Sequence, residues 1–146
     1  MTLKILIASD HAGFAMKTAL KTNFKDVPVE WIDLGTYSED SVDYPDYGFK
    51  LAQAIADGVA GMGVLVCGSG VGISIAANRN PAVRCVLCSD VQVATLSRQH
   101  NDANVIAFGG RLISLDTAIS CLHAFLTTPF EGGRHAGRVN KLSSSC

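Results

Sequence analysis

Apolar runs and helix-spaced segments alternate along almost the whole of this chain. Five short apolar runs are each followed by a segment with the apolar spacing of a helix; the runs are LKILIAS, VEWIDLG, MGVLVC, VRCVLC and NVIAFGG. Runs that are apolar throughout indicate strands buried on both faces. Strict alternation with helices indicates parallel pairing through right-handed crossovers. We therefore predict a doubly wound α/β fold, a five-stranded parallel sheet in a Rossmann-like αβα sandwich, with a polar C-terminal tail or helix.

The size and charge of the chain narrow the classes of partner. Its 146 residues, 48% of them hydrophobic, have the length of a single domain, residues 1–146, with one sizeable core. A net charge of −1 provides no basic field for nucleic acid or an anionic membrane. No apolar run approaches the roughly 20 residues of a membrane span, and MTLKILIASD lacks a signal-peptide pattern. We expect a cytoplasmic protein without nucleic-acid or membrane partners.

The cysteines indicate reduced thiols. Their number is odd and the chain lacks a secretory signal; they are Cys67, Cys85, Cys88, Cys121 and Cys146. Cys85 and Cys88 form a C-x-x-C pair, but a zinc ribbon needs a second pair, which the sequence lacks. Residues three apart in a strand point to opposite faces. We expect these two cysteines to be packing residues rather than metal ligands or a redox pair.

Polar residues follow several of the predicted strands, where ligands bind in open α/β sheets. Asp10 and His11 follow the first strand, Cys67 ends the third, and Arg111 follows the fifth. The helix after the fourth strand ends in RQHND, which adds His100 and Asn101. We expect all of these side chains to face one rim of the sheet.

The glycine-rich loop after Cys67 has several interpretations. A dinucleotide fingerprint, G-x-G-x-x-G, fits Gly68 and Gly70 but has Ile73 at its third position, and no P-loop lysine follows. Backbone amides at a helix N-terminus favour a phosphate or an oxyanion formed during reaction. The same amides would stabilise a thiolate on Cys67. A buried thiol with glycines for close packing remains the structural alternative.

The tail carries a pair of arginines four residues apart. Arg134 and Arg138 in GGRHAGR would lie one turn apart on a helix. Guanidinium groups match phosphate oxygens in geometry, so these arginines and Arg111 suit a phosphate ligand. When Arg134 and Arg138 are taken alone, a solvated surface explains them better than a phosphate site. His123, in AISCLHAFL, is assigned no role.

Five motifs in register resemble the B type of ribose-5-phosphate isomerase. They are ASDHAGF, DYPDYG, CGSGVGISIAANR, RQHNDANVIAFGGR and GGRHAGRV, and they run from about Leu3 to Val139. The wider group includes isomerases of galactose 6-phosphate and allose 6-phosphate. The resemblance implies an aldose–ketose isomerase that interconverts ribose 5-phosphate and ribulose 5-phosphate through an enediolate. It implies no metal and no organic cofactor.

The resemblance also implies roles for individual residues. Cys67 would be the base, and His100 with Asp10 would open the sugar ring. Some members use a glutamate one loop later instead of the cysteine, but Ile75 and Ala76 offer no carboxylate here. The resemblance implies that the remaining residues bind substrate. His11, Arg111, Arg134 and Arg138 would contact the phosphate, and Tyr44 and Asn101 would contact the sugar. The enediolate would lie against Gly68, Ser69, Gly70, Val71 and Gly72.

The family builds its site at a dimer interface. The resemblance therefore implies a homodimer, or a tetramer, in which some site residues come from the partner chain. Two alternatives stay open on the sequence: an isomerase of a six-carbon sugar phosphate, and a non-catalytic module that binds a sugar phosphate or nucleotide. An intact Cys67 together with His100 favours an enzyme, because a binding module needs neither.

Overall fold

All five predicted strands form one parallel sheet, which confirms the predicted fold class. The computed structural model describes residues 1–144. The sheet order is β2-β1-β3-β5-β4. The strands are β1 (Leu3–Ser9), β2 (Val29–Asp33), β3 (Met62–Cys67), β4 (Cys85–Leu87) and β5 (Val105–Gly109).

Helices follow each strand, and the polar tail forms a further one. They are α1 (Phe14–Asn23), α2 (Tyr44–Ala56), α3 (Val71–Asn78), α4 (Val91–Asn101), α5 (Leu115–Thr127) and α6 (Arg134–Ser144). Cys146 lies outside the described residues. Among residues 1–144, no helix is long and apolar enough to cross a membrane.

Two apolar clusters fill the spaces above and below the sheet. One lies under α1, α4 and α5 and includes Leu20 and Phe125. The other lies under α2 and α3 and includes Leu51 and Ile73. The central strands β1, β3 and β5 are buried on both faces, as predicted. That prediction is wrong for the edge strands, since β2 is half-buried and Leu87 of β4 is exposed.

The C-x-x-C pair lies on opposite sides of the sheet, as its strand spacing predicts. Cys88 is buried in the cluster under α1, α4 and α5, and Cys85 packs against the other cluster. Burial raises the pKa of the Cys85 thiol to about 12. These thiols are packing groups that stay protonated at neutral pH.

The strand order places a crevice between β1 and β3. The helix that follows β1 covers one face of the sheet, and the helix that follows β3 covers the other. The loops at the carboxyl ends of these two adjacent strands therefore diverge. Such a switch point is where open α/β sheets bind ligands.

Lys17 holds the loop that follows β2, beside this crevice. Its side chain is 1% exposed, and its Nζ donates to Asp33 Oδ1 at 2.7 Å and to the Thr36 carbonyl. The Thr36 amide donates to the Ser9 carbonyl at 2.8 Å, one residue before Asp10. Lys17 thus connects α1, the end of β2 and the end of β1.

Replacing Lys17 with methionine should lower the free energy of unfolding by about 3 kcal/mol, because Asp33 loses its buried partner. Lys21→Met is the matched control: Lys21 binds the other oxygen of Asp33, but its side chain is 34% exposed. That exposed pair should contribute less than about 1 kcal/mol. Urea denaturation of both variants measures the difference. Equal losses would show that burial does not strengthen the Lys17 contact.

Candidate active site

A cleft of about 460 Å³ opens at the carboxyl ends of β1 and β3. Four segments line it: the turn after β1, the start of α2, the glycine loop with the first turns of α3, and the turn after β5. The lining residues are Asp10, His11, Ala12, Tyr44, Cys67, Gly68, Ser69, Val71, Gly72, Ile75 and Arg111. Nine of the fourteen residues predicted for the site line this cleft, and a tenth, Gly70, belongs to the glycine loop between lining residues. The other four are located below.

The thiol of Cys67 lies against the start of α3. Its side chain is 4% exposed, and its Sγ accepts a hydrogen bond from the Gly70 amide at 3.1 Å. Gly70 has φ +79°, and a Cβ there would lie 2.9 Å from the carbonyl carbon of Phe108. Only glycine fits this left-handed, close-packed position. The turn therefore aims the Gly70 amide, at the N-terminus of α3, at the sulfur.

Asp10 and His11 are held by backbone groups. Asp10 Oδ1 accepts from the Gly13 amide at 3.0 Å, which fixes the carboxylate at the start of α1. His11 Nδ1 accepts from the Val42 amide at 3.1 Å. An Nδ1 that accepts carries no proton, so the Nε2 of the neutral ring is a donor. His11 can therefore donate a hydrogen bond to an anion.

Arg111 is the one arginine or lysine that lines the cleft in the described part of the chain. Its amide donates to the Gly68 carbonyl at 3.0 Å. Its Nη1 lies 3.6 Å from the position that a Cβ on Gly68 would occupy. The guanidinium group thus lies over the glycine loop, where it complements the negative charge that the amides favour.

His100 and Asn101 do not share this rim, and the expectation that they would is wrong for a single chain. They end α4, which runs back across the sheet from the carboxyl end of β4 to the beginning of β5. Asn104, three residues on, accepts through its carbonyl from the Gly63 amide near the start of β3. Because a crossover helix is antiparallel to its strands, its last residues lie at the opposite edge of the sheet.

His100 belongs to a second group of polar side chains, which we call the helix-end cluster: His100, Glu131 and His135. The imidazole rings of His100 and His135 stack with centroids 4.5 Å apart and an interplanar angle of 17°. Their Nε2 atoms lie 3.9 and 3.7 Å from Glu131 Oε1. Burial, then the charges of His100 and Arg134, lowers the pKa of His135.

Arg98 and Asp102 hold the end of α4 on which His100 lies. Arg98 is 8% exposed and donates from Nη1 to Asp102 Oδ1 at 2.8 Å and to the Ala103 carbonyl at 2.6 Å. Asp102 has φ +47° and ends the helix. The motif RQHND thus contains both the exposed histidine and the ion pair that fixes its position.

Arg134 and Arg138 are exposed on the first turns of α6, as a helical tail predicts. This helix packs on α4, so both arginines lie on the same side of the molecule as His100. In one chain the predicted site is therefore divided: the cleft holds Cys67 and its neighbours, and α4 with α6 carries the remaining four residues.

The family assignment follows from comparison with known proteins. The model of the Ribose/Galactose Isomerase family matches residues 5–142. The chain belongs to this family. It is 45% identical to ribose-5-phosphate isomerase B of Escherichia coli over 141 residues, which cover 97% of this chain and 95% of that protein.

Solved structures of the ribose/galactose isomerase family agree with the fold. Ribose-5-phosphate isomerase B of Clostridium thermocellum superposes with a TM-score of 0.93 at 45% identity, covering 97% of this chain and 95% of that one. The ribose 5-phosphate isomerase of Thermotoga maritima has a TM-score of 0.91 at 48% identity, covering 98% and 99%. The five-stranded parallel sheet is thus the fold of these relatives.

Three residues near His100 are not predicted from the sequence: Arg98, Glu131 and His135. His135 stands inside the quoted motif GGRHAGR, and its place between two arginines was the signal that could have drawn attention to it. Arg98 begins RQHND in the same way. Glu131 gives no sequence signal, because its position depends on how the loop before α6 packs against α4.

Proposed function

We propose that this isomerase interconverts ribose 5-phosphate and ribulose 5-phosphate, with Cys67 as the base that moves a proton between C1 and C2. The observation that carries the proposal is the hydrogen bond from the Gly70 amide to Cys67 Sγ at 3.1 Å, inside a cleft lined by Asp10, His11 and Arg111. The relatives named ribose-5-phosphate isomerase B support the choice of substrate.

The arrangement suits proton transfer next to a carbonyl. Removing such a proton creates an enediolate, whose oxygen needs donors where its charge develops. The amides at the start of α3 have no acceptors inside the helix, and they would supply such donors. A thiolate beside them removes the proton and returns it to the neighbouring carbon. This chemistry requires neither a metal nor an organic cofactor. The free thiols of the protein suit the reducing cytoplasm, where we place it.

The remaining residues would come from a second copy of the chain. Arg111 and His11 are the cationic and donor groups of the cleft, and a phosphate dianion suits further guanidinium groups. Arg134, Arg138, His100 and Asn101 lie away from the cleft of their own chain. In a homodimer with two-fold symmetry, each chain would present this set to the cleft of its partner.

An apolar surface beside the cleft supports this assembly. Four large apolar side chains there are 42–59% exposed: Tyr44, Val71, Ile75 and Leu87. Tyr44, Val71 and Ile75 line the cleft, and Leu87 packs against Gly70. Apolar surface of this kind around a polar site is typical of an interface. We propose that a second copy covers it, in a dimer or a tetramer.

A coupled assay of both sugar classes tests the substrate. We expect kcat/KM for ribose 5-phosphate to exceed that for allose 6-phosphate by about 10- to 200-fold, the usual effect of one carbon unit in a fitted pocket. A preference for allose 6-phosphate would make the chain a six-carbon isomerase. Binding of both sugars without turnover would make it a binding module.

Arg138→Ala should lower kcat/KM for ribose 5-phosphate by about 10- to 150-fold, since a hydrogen bond to a charged group contributes about 1.5–3 kcal/mol. Most of the change should be in KM, because the phosphate is remote from the reacting carbons. Lys141→Ala is the matched control: it removes the same charge from an exposed position on the same helix. Equal kinetics for Arg138→Ala and the wild type would remove Arg138 from the site.

A further inference from the structure

We propose that the helix-end cluster is a binding site for a divalent transition metal ion of the zinc and cobalt class. The ion would be an inhibitor rather than a cofactor, since it would occupy the imidazole of His100. The binding part of this proposal stands on the cluster alone. The inhibitory part rests on the proposed function, in which His100 opens the sugar ring.

Each of the three side chains offers one possible ligand atom, and these atoms lie within 4.8 Å of one another. The Nε2 atoms of His100 and His135 lie 3.9 and 3.7 Å from Glu131 Oε1. Two imidazoles and one carboxylate on one side of an ion leave further positions open to water, as in known facial triads. Ligands of tetrahedral zinc at 2.0–2.1 Å are about 3.3 Å apart. Glu131 would therefore have to approach each imidazole by less than about 1 Å. Because the two rings stack nearly parallel, the His100 ring would also have to turn out of the stack so that both Nε2 lone pairs reach one ion.

The cluster has the freedom to make this adjustment. His100 and Glu131 side chains are 39% and 51% exposed, whereas His135 is 8% exposed and forms the fixed member. In the described part of the chain, neither imidazole makes a side-chain hydrogen bond through Nε2 that an ion would have to break. Both Nε2 atoms already face the carboxylate at distances too long for a hydrogen bond.

The backbone brings the three ligands together before any ion binds. The Glu131 amide donates to the carbonyl of Gln99, the residue before His100, at 3.1 Å. The His135 amide donates to the Gly132 carbonyl at 3.0 Å, which fixes the start of α6 against the same loop. Preorganised ligands lower the ordering cost of binding.

Neighbouring charges determine how tightly the helix-end cluster should bind a metal ion. Glu131 supplies one negative charge, but Arg134 and Arg138 on α6 oppose a cation. The site also leaves positions to water, unlike a closed structural zinc site. We therefore expect weaker and more readily reversible binding than at a structural zinc site.

Cobalt titration of the tag-free protein tests the site directly. We expect one Co²⁺ per chain, with visible absorption from nitrogen and oxygen ligands and without the near-ultraviolet band of a cobalt thiolate. His135→Ala and Glu131→Ala should each weaken binding at least about 10-fold, the lower range for changes around metal ligands. His123→Ala is the matched control, because His123 also faces a carboxylate, Asp26 at 3.2 Å, but lies on α5.

Different outcomes test cobalt binding and inhibition of the isomerase separately. No cobalt binding, a thiolate band, or unchanged affinity in both His135→Ala and Glu131→Ala would each overturn the proposed site. Isomerase activity should fall when Co²⁺ binds, return with a chelator, and in His135→Ala stay near that variant's own metal-free rate. Cobalt binding without inhibition would overturn the inhibitory part. An inactive metal-free wild type would instead contradict the proposed function, and absorption alone would then decide the site.

Discussion

Cys67→Ala should lower kcat for ribose 5-phosphate by at least about 10²–10⁴-fold, the usual contribution of a proton-transfer group. The glycine loop, Asp10 and Arg111 remain in place, so a substrate analogue should bind with nearly unchanged affinity. Only the base is lost. Steady-state kinetics with calorimetry of analogue binding separate the two effects.

Another thiol of the chain provides the control. Cys85→Ala removes a sulfur from the edge strand β4, which β5 separates from the strand of Cys67, and should leave kcat close to that of the wild type. Burial raises the pKa values of Cys85 and Cys121 to about 12, so neither forms much thiolate at neutral pH. Iodoacetamide should inactivate the enzyme in step with alkylation of Cys67, as identified by peptide mapping, and bound sugar phosphate should protect it. Near-normal turnover by Cys67→Ala would reduce the thiol to a packing role.

Mixing two inactive variants should restore activity if the sites are shared between chains. We expect Cys67→Ala and His100→Asn to be strongly impaired as separate homodimers. In a randomly exchanged equal mixture, half of the dimers pair the two variants, and each such dimer has one site with both residues intact. Activity should therefore reach about a quarter of the wild-type value.

A second mixture controls for exchange itself. Cys67→Ala and Asp10→Asn alter the same cleft, so no arrangement of these two chains produces an intact site. This mixture should remain as inactive as its components. Restoration in both mixtures, or in neither when mass spectrometry shows mixed dimers, would contradict the shared site.

The fold was predictable because its signals are local. Apolar runs such as MGVLVC and the helical spacing after them depend only on neighbouring residues. The edge strand β4 is shorter than the run VRCVLC: it spans Cys85–Leu87 and, among the described residues, pairs with β5 alone. Burial at an edge depends on sheet order, which local patterns do not contain.

The site was predictable only in part. Residues directly after β1, β3 and β5 assembled into the cleft, because parallel strands end at a common edge. His100 was assigned to that edge, yet α4 carries it across the full length of the sheet. Its contacts with Glu131 and His135 depend on the packing of α6, which no spacing in the sequence encodes.

The position of α4 has a consequence for inheritance under the proposed assembly. A chain's own cleft and its own α4 would never act on the same sugar molecule. A substitution in either place would therefore affect only a site shared with the other copy. A chain damaged in both places would disable both sites of a mixed dimer, whereas a chain damaged in one would disable a single site. With random assembly, two lesions in one copy would leave intact only the dimers of two healthy chains, whereas the same lesions divided between two copies would leave one intact site in each mixed dimer; both arrangements therefore keep about a quarter of the sites.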